Sequence, residues 1–85
     1  LVLFLGGQQL NYVLGEYEAV PLDWAPAEKH WSVFRDYDIV GEISVIRGEI
    51  FGYPGHSYPL DYNEVEEPQQ VEECLKAIIN YLENR

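Results

Sequence analysis

Eighty-five residues, 47% of them hydrophobic and 24% charged, fit one small domain spanning 1–85 and argue against a disordered chain. Fifteen acidic residues against five basic ones leave a formal net charge of −10, which argues against direct contact with nucleic acid or an anionic membrane, both of which need a basic footprint. No apolar run approaches the roughly 18 residues of a membrane span, and a single cysteine cannot form an internal disulfide.

Leu1 to Leu5 is apolar without alternation and reads as a strand buried on both faces. It is too short for the apolar region of a signal peptide and has no basic residues ahead of it. The chain has no methionine, even at position 1, which points to a trimmed or partial sequence. Gly6-Gly7 turns the chain. Gln8 to Leu14 is a second strand, Gly15 a turn and Glu16 to Val20 a third strand, in which polar and apolar residues alternate at first. Pro21 ends that strand or marks an edge.

Asp23-Trp24-Ala25-Pro26 is a break. Ala27, Trp31 and Phe34 would share a helical face starting at Pro26. His30 to Arg35 is also rich in aromatic and β-branched residues, and the strand is the better reading because a hairpin partner follows. In that partner Ile39, Gly41, Ile43 and Val45 occupy one face and Val40, Glu42, Ser44 and Ile46 the other. Arg47-Gly48 makes a short turn with positive φ at Gly48, and Glu49 to Tyr53 returns. Gly41 and Gly52 mark bulges or points of close helix packing. Tyr53 to Asn63, with two prolines and Gly55, reads as a loop.

Pro68 to Arg85 is the clearest element. Val71, Cys74, Leu75, Ile78, Ile79 and Leu82 form one apolar stripe at helical spacing. Pro68 suits the first turn, Glu66, Glu67, Glu72 and Glu73 complement the positive end of the helix dipole, and Glu72–Lys76 is a favourable i, i+4 pair. Glu72, Glu73, Lys76, Asn80 and Glu83 make the wet face, and Arg85 lies at the negative end. The fold class is therefore α+β: a small antiparallel sheet of three to five strands packed against one C-terminal amphipathic helix.

Chemistry-bearing motifs are sparse. His56 with Asp61 and Glu64 has no metal-ligand spacing, Ser57 beside His56 is no triad signature, and neither a dinucleotide fingerprint nor a phosphate-binding glycine loop is present. No cofactor, metal or catalytic residue is expected. Cys74, on the apolar stripe, reads as a small core residue, and a lone thiol fits a cytoplasmic setting. Trp24 and Trp31 read as core or rim residues.

The distinctive cluster is aromatic and acidic. Tyr53, His56, Tyr58 and Tyr62 share one Pro/Gly-rich loop, and Glu64, Glu66 and Glu67 follow it without an intervening Lys or Arg. Tyrosine offers wide contact area with a polar tip. The rings either close over the sheet as a lid or form, with the three carboxylates, a binding surface.

The leading expectation is a non-catalytic interaction or regulatory module that docks on a basic protein surface. One special form of it is an inhibitor or antitoxin-like protein that blocks a nucleic-acid-binding enzyme by imitating phosphate. The alternatives are an enzyme or metal-binding domain centred on His56, and a homo-oligomer paired through the edge of Leu1–Leu5.

Overall fold

A computed structural model describes residues 2–3, 11–24, 27–55, 60–61 and 66–85. Seven strands run in order as an antiparallel meander: β1 (Val2–Leu3), β2 (Tyr12–Leu14), β3 (Tyr17–Pro21), β4 (Lys29–Arg35), β5 (Asp38–Ile46), β6 (Glu49–Tyr53) and β7 (Leu60–Asp61). The helix α1 (Glu67–Glu83) follows. Five of the strands, β2 to β6, have three residues or more, and the two-residue strands β1 and β7 sit at the edges. The protein is thus α+β, with one helix on one face of an antiparallel sheet.

Three two-residue loops set the meander. Gly15-Glu16 joins β2 to β3, Asp36-Tyr37 joins β4 to β5, and Arg47-Gly48 joins β5 to β6. Arg47 and Gly48 have φ of 54° and 76°, the pair of positive values that a type I′ turn needs to match the twist of its flanking strands. The Glu28 carboxylate accepts from the Gly48 N–H at 3.2 Å and steadies this turn.

The inward face alternates as a half-buried sheet must. Tyr12, Tyr17, Ala19, Trp31, Val33, Ile43, Val45 and Ile50 meet Val71, Cys74, Leu75 and Ile78 of α1 in one core. Leu14, Val40, Ile79 and Leu82 pack around it. Trp31 is fully buried on the central strand, and Tyr12 meets it edge to face at 6.1 Å between ring centres. The helix touches β2, β5 and β6, strands from both sides of β4, so the sheet curls around it.

Several expectations change. Ile39 does not join the inward row: it is 61% exposed, while Val40 packs on the core. A bulge is the cause, since Phe34 pairs with Ile39 but Val33 pairs with Gly41, and Val40 is the extra residue. Of the strand predicted over Gln8–Leu14, residues 8–10 lie outside the described residues and Tyr12–Leu14 is a strand. The segment Tyr53–Asn63 is not loop throughout, because Leu60 and Asp61 pair with Ile50 and Glu49 as β7. The 26–35 segment is a strand from Lys29, as its aromatic and β-branched content favoured. Pro21 is the last residue of β3, opposite Trp31.

The helix stops at Glu83, two residues before Arg85, so no basic residue lies in its last turn. The Glu72–Lys76 pair forms at 3.0 Å. At its other end the Lys29 ammonium donates to Glu67 Oε2, and the Tyr12 hydroxyl lies 3.5 Å from Glu67 Oε1, which fastens the first helical turn to β4 and β2.

At Gly41 the helix and the neighbouring strand pack close to the sheet backbone. A Cβ there would lie 2.7 Å from the Tyr53 carbonyl oxygen and 3.1 Å from Ile78 Cγ2. Only a glycine leaves that space.

Candidate functional site

The helix α1 covers the inward face, and the outward face carries two buried residues, His30 and Ser32, among more exposed ones. Its strand positions are Val13 of β2, Glu18 and Val20 of β3, His30, Ser32 and Phe34 of β4, Ile39, Glu42, Ser44 and Ile46 of β5, and Glu49, Phe51 and Tyr53 of β6. Among these described positions none is Lys or Arg, and three are glutamates. Large apolar groups stand in solvent among them: Ile39, Phe51 and Tyr53, with Trp24 from the β3–β4 connection. Aromatic rings are exposed here beside carboxylates.

At the centre of this face sits a hydrogen-bonded row that the linear sequence does not display. The register sets His30 opposite Ser44 and Ser44 opposite Phe51; the next row sets Ser32 opposite Glu42 and Glu42 opposite Tyr53. His30 is only 5% exposed. Its Nδ1 is 2.8 Å from Ser44 Oγ, its Nε2 is 3.5 Å from Glu42 Oε1, and the Trp24 ring tilts over it at 5.4 Å between centres. The imidazole is thereby hydrogen-bonded through Nδ1, faces the Glu42 carboxylate through Nε2 and is roofed by an indole, and Glu42 projects beyond it, 56% exposed.

A serine, a histidine and a carboxylate in series invite comparison with acyl-transfer triads. Such chemistry needs converging N–H donors for the oxyanion beside the serine. Here β5 is paired on both sides along Glu42–Val45, and the ladder engages the backbone around Ser44. The arrangement instead fixes Glu42 and Trp24 in place on the surface.

The predicted site residues fall into three groups. Tyr53 is 73% exposed on the outward face, so its ring is no part of a lid. Glu66 is exposed at the start of α1, whereas Glu67 is held by Lys29. His56, Tyr58, Tyr62 and Glu64 lie outside the described residues.

Tyr53 and the Glu66–Glu67 pair are not brought together. The chain after Tyr53 runs against the later helical turns, where a Cβ on Gly55 would meet Ala77 and Tyr81. Ala77 is ten residues beyond Glu67, about 15 Å along the axis. Among the described residues no group of three His, Cys, Asp or Glu side chains is placed to hold a metal ion.

Elsewhere a shallow cleft of about 500 Å³ opens between the β2–β3 turn and the last turns of α1, lined by Leu14, Gly15, Tyr17, Ile79, Asn80 and Glu83 among others. The Tyr17 hydroxyl, 3.3 Å from Glu83 Oε2, spans it, and the Arg35 guanidinium lies 5.6 Å from the Tyr17 ring centre while pairing with Glu16. These contacts are used up in holding the hairpin to the helix.

Two core groups have shifted acidities. Burial, then the charge of Glu67, pushes the Tyr12 phenol up to about 12. Burial alone pushes the Cys74 thiol up to about 12, which makes it a packed, unreactive group at neutral pH.

No protein-family model matches this chain, and no curated protein or solved structure matches it. No helix among the described residues is long and apolar enough to cross a membrane.

Proposed function

We propose that this chain is a small, non-catalytic interaction module that docks a basic protein surface on the outward face of its sheet. The observation that carries the reading is the composition of that face: Trp24, Phe51, Tyr53 and Ile39 are exposed, Glu18, Glu42 and Glu49 lie among them, and among the described residues no cation occupies the outward strand positions. Charge complementarity then names the partner's chemistry, since a positive surface with apolar groups would satisfy both components. The balance of charge supports the same polarity. Three of the five basic residues, Lys29, Arg35 and Lys76, are taken up in ion pairs with Glu67, Glu16 and Glu72. A cytoplasmic setting belongs to this proposal and rests on the lone buried thiol of Cys74.

The test is capture of partners on the immobilised protein, followed by binding at rising ionic strength. Association is expected to weaken about tenfold or more between low and physiological salt. Trp24→Ala combined with Phe51→Ala should abolish it, while Glu73→Gln on the wet face of the helix should leave it intact. A partner whose binding ignores the Trp24/Phe51 double change would move the docking surface elsewhere and overturn the reading.

A further inference from the structure

The geometry points to Glu42, walled by Tyr53 and Phe51 with Trp24 beside it, as a receptor for an arginine side chain of the partner. This rests on the docking face proposed above and names the group that anchors it.

Glu42 lies on β5, with strands paired to either side of it. It is the outward carboxylate at the middle of the sheet, between Ser32 and Tyr53 in its row, and it is 56% exposed. Its ionic neighbour among the described residues is His30, at 3.5 Å, a distance too long for a good hydrogen bond. The carboxylate is thus placed by its surroundings but keeps acceptor capacity toward solvent. Glu18 differs, because one of its oxygens accepts from Asn11 Nδ2 at 2.9 Å. Glu49 differs too, because it is the first residue after the Arg47-Gly48 turn, away from the middle of the sheet where Glu42 lies.

Aromatic rings complete the site. Tyr53 stands directly across from Glu42 on β6, and Phe51 is its diagonal neighbour two residues earlier on the same face. Trp24 leans over His30, which in turn touches Glu42. A carboxylate flanked by π-faces is matched by a planar cation that can take two oxygens edge-on and stack its face on a ring. Guanidinium meets both demands, whereas an ammonium meets only the charge. The His30–Ser44 hydrogen bond at 2.8 Å locks the base of the site, so little ordering is left to the moment of binding.

The experiment uses the whole chain and a short oligo-arginine peptide, with an oligo-lysine peptide of equal length for comparison. Trp31 is fully buried and Trp24 is exposed beside the site, so a change in tryptophan emission on titration reports Trp24. Wild type should bind the arginine peptide several times more tightly than the lysine peptide, with an emission change. Glu42→Gln, which keeps shape and removes charge, should weaken the arginine peptide by about tenfold, and Tyr53→Leu should erase the preference for arginine.

Glu49→Gln removes the same charge from the same face and should weaken the arginine peptide clearly less than Glu42→Gln does. Equal losses for Glu42→Gln and Glu49→Gln would mean diffuse attraction to an acidic face; that result overturns the site but leaves the docking face standing. Failure of both peptides to bind wild type at low salt overturns the site and the docking face together.

Discussion

Trp31 and Tyr12 show what a buried aromatic pair asks of its neighbours. Tyr12 is fully buried, yet its hydroxyl reaches Glu67 at the helix start, so the polar tip of the ring is not wasted. The same burial raises the Tyr12 phenol from 10.0 to about 12 and the Cys74 thiol from 9.0 to about 12. Both groups keep their protons in the folded chain at pH values where the unfolded chain has released them. The native state then binds more protons, and stability falls as pH rises.

Unfolding in urea should therefore show a midpoint that is steady up to about pH 9 and drops between about pH 9 and 12. Cys74→Ala should delay the onset of that drop toward the Tyr12 range, at some cost in packing. A midpoint independent of pH across this interval would refute the shared burial of the two groups. Trp31→Ala should cost about 3–5 kcal/mol by the same denaturation measurement, since it empties the centre of the core.

At the level of the element the helix was legible in its buried face, though not in its last residues. Six apolar positions at helical spacing need no knowledge of what they face, and Val71, Cys74, Leu75 and Ile78 are buried, with Ile79 and Leu82 packed around them. The β5–β6 hairpin was legible for the same kind of reason, through Gly48 and the residues around it. The bulge was not. A two-residue turn at Asp36-Tyr37 with regular pairing would set Trp31 opposite Glu42 and His30 opposite Ile43, mixing core and solvent faces. One residue has to be absorbed to bring Trp31 opposite Ile43, and Val40 is that residue.

The His30–Ser44–Glu42 row depends on this shift, which is why no spacing in the linear chain announced it. The strand β7 was hidden by the prolines around it. The helix start offers its own test. A double-mutant cycle of Lys29→Met and Glu67→Gln should return a coupling of about 1 kcal/mol, because the pair is half-buried and joins separate elements. The same cycle on Glu72 and Lys76, within one helix, should return about 0.3–0.5 kcal/mol. Equal couplings would deny the helix start its role as a fastening.

Across the whole molecule the dominant fact is charge. A net −10 spread over 85 residues repels itself, and added salt relieves that repulsion. Salt is thus expected to act in opposite directions on two observables: the melting temperature should rise by a few degrees between low salt and about 0.5 M, while affinity for a basic partner falls. A melting temperature that falls with salt would mean that the ion pairs of Lys29, Arg35 and Lys76 outweigh the repulsion.

Every strand of the meander pairs with its neighbour in sequence, so the sheet can zip up hairpin by hairpin with little loop entropy to overcome. The helix is different, since it must reach back to β2 at the far side of the curl. A nascent chain halted before Glu67 would hold a finished sheet whose greasy lining of Trp31, Ile43 and Ile50 has no cover. That interval, between the last hairpin and the arrival of the helix, is when the polypeptide is most exposed to clumping and most in need of a chaperone.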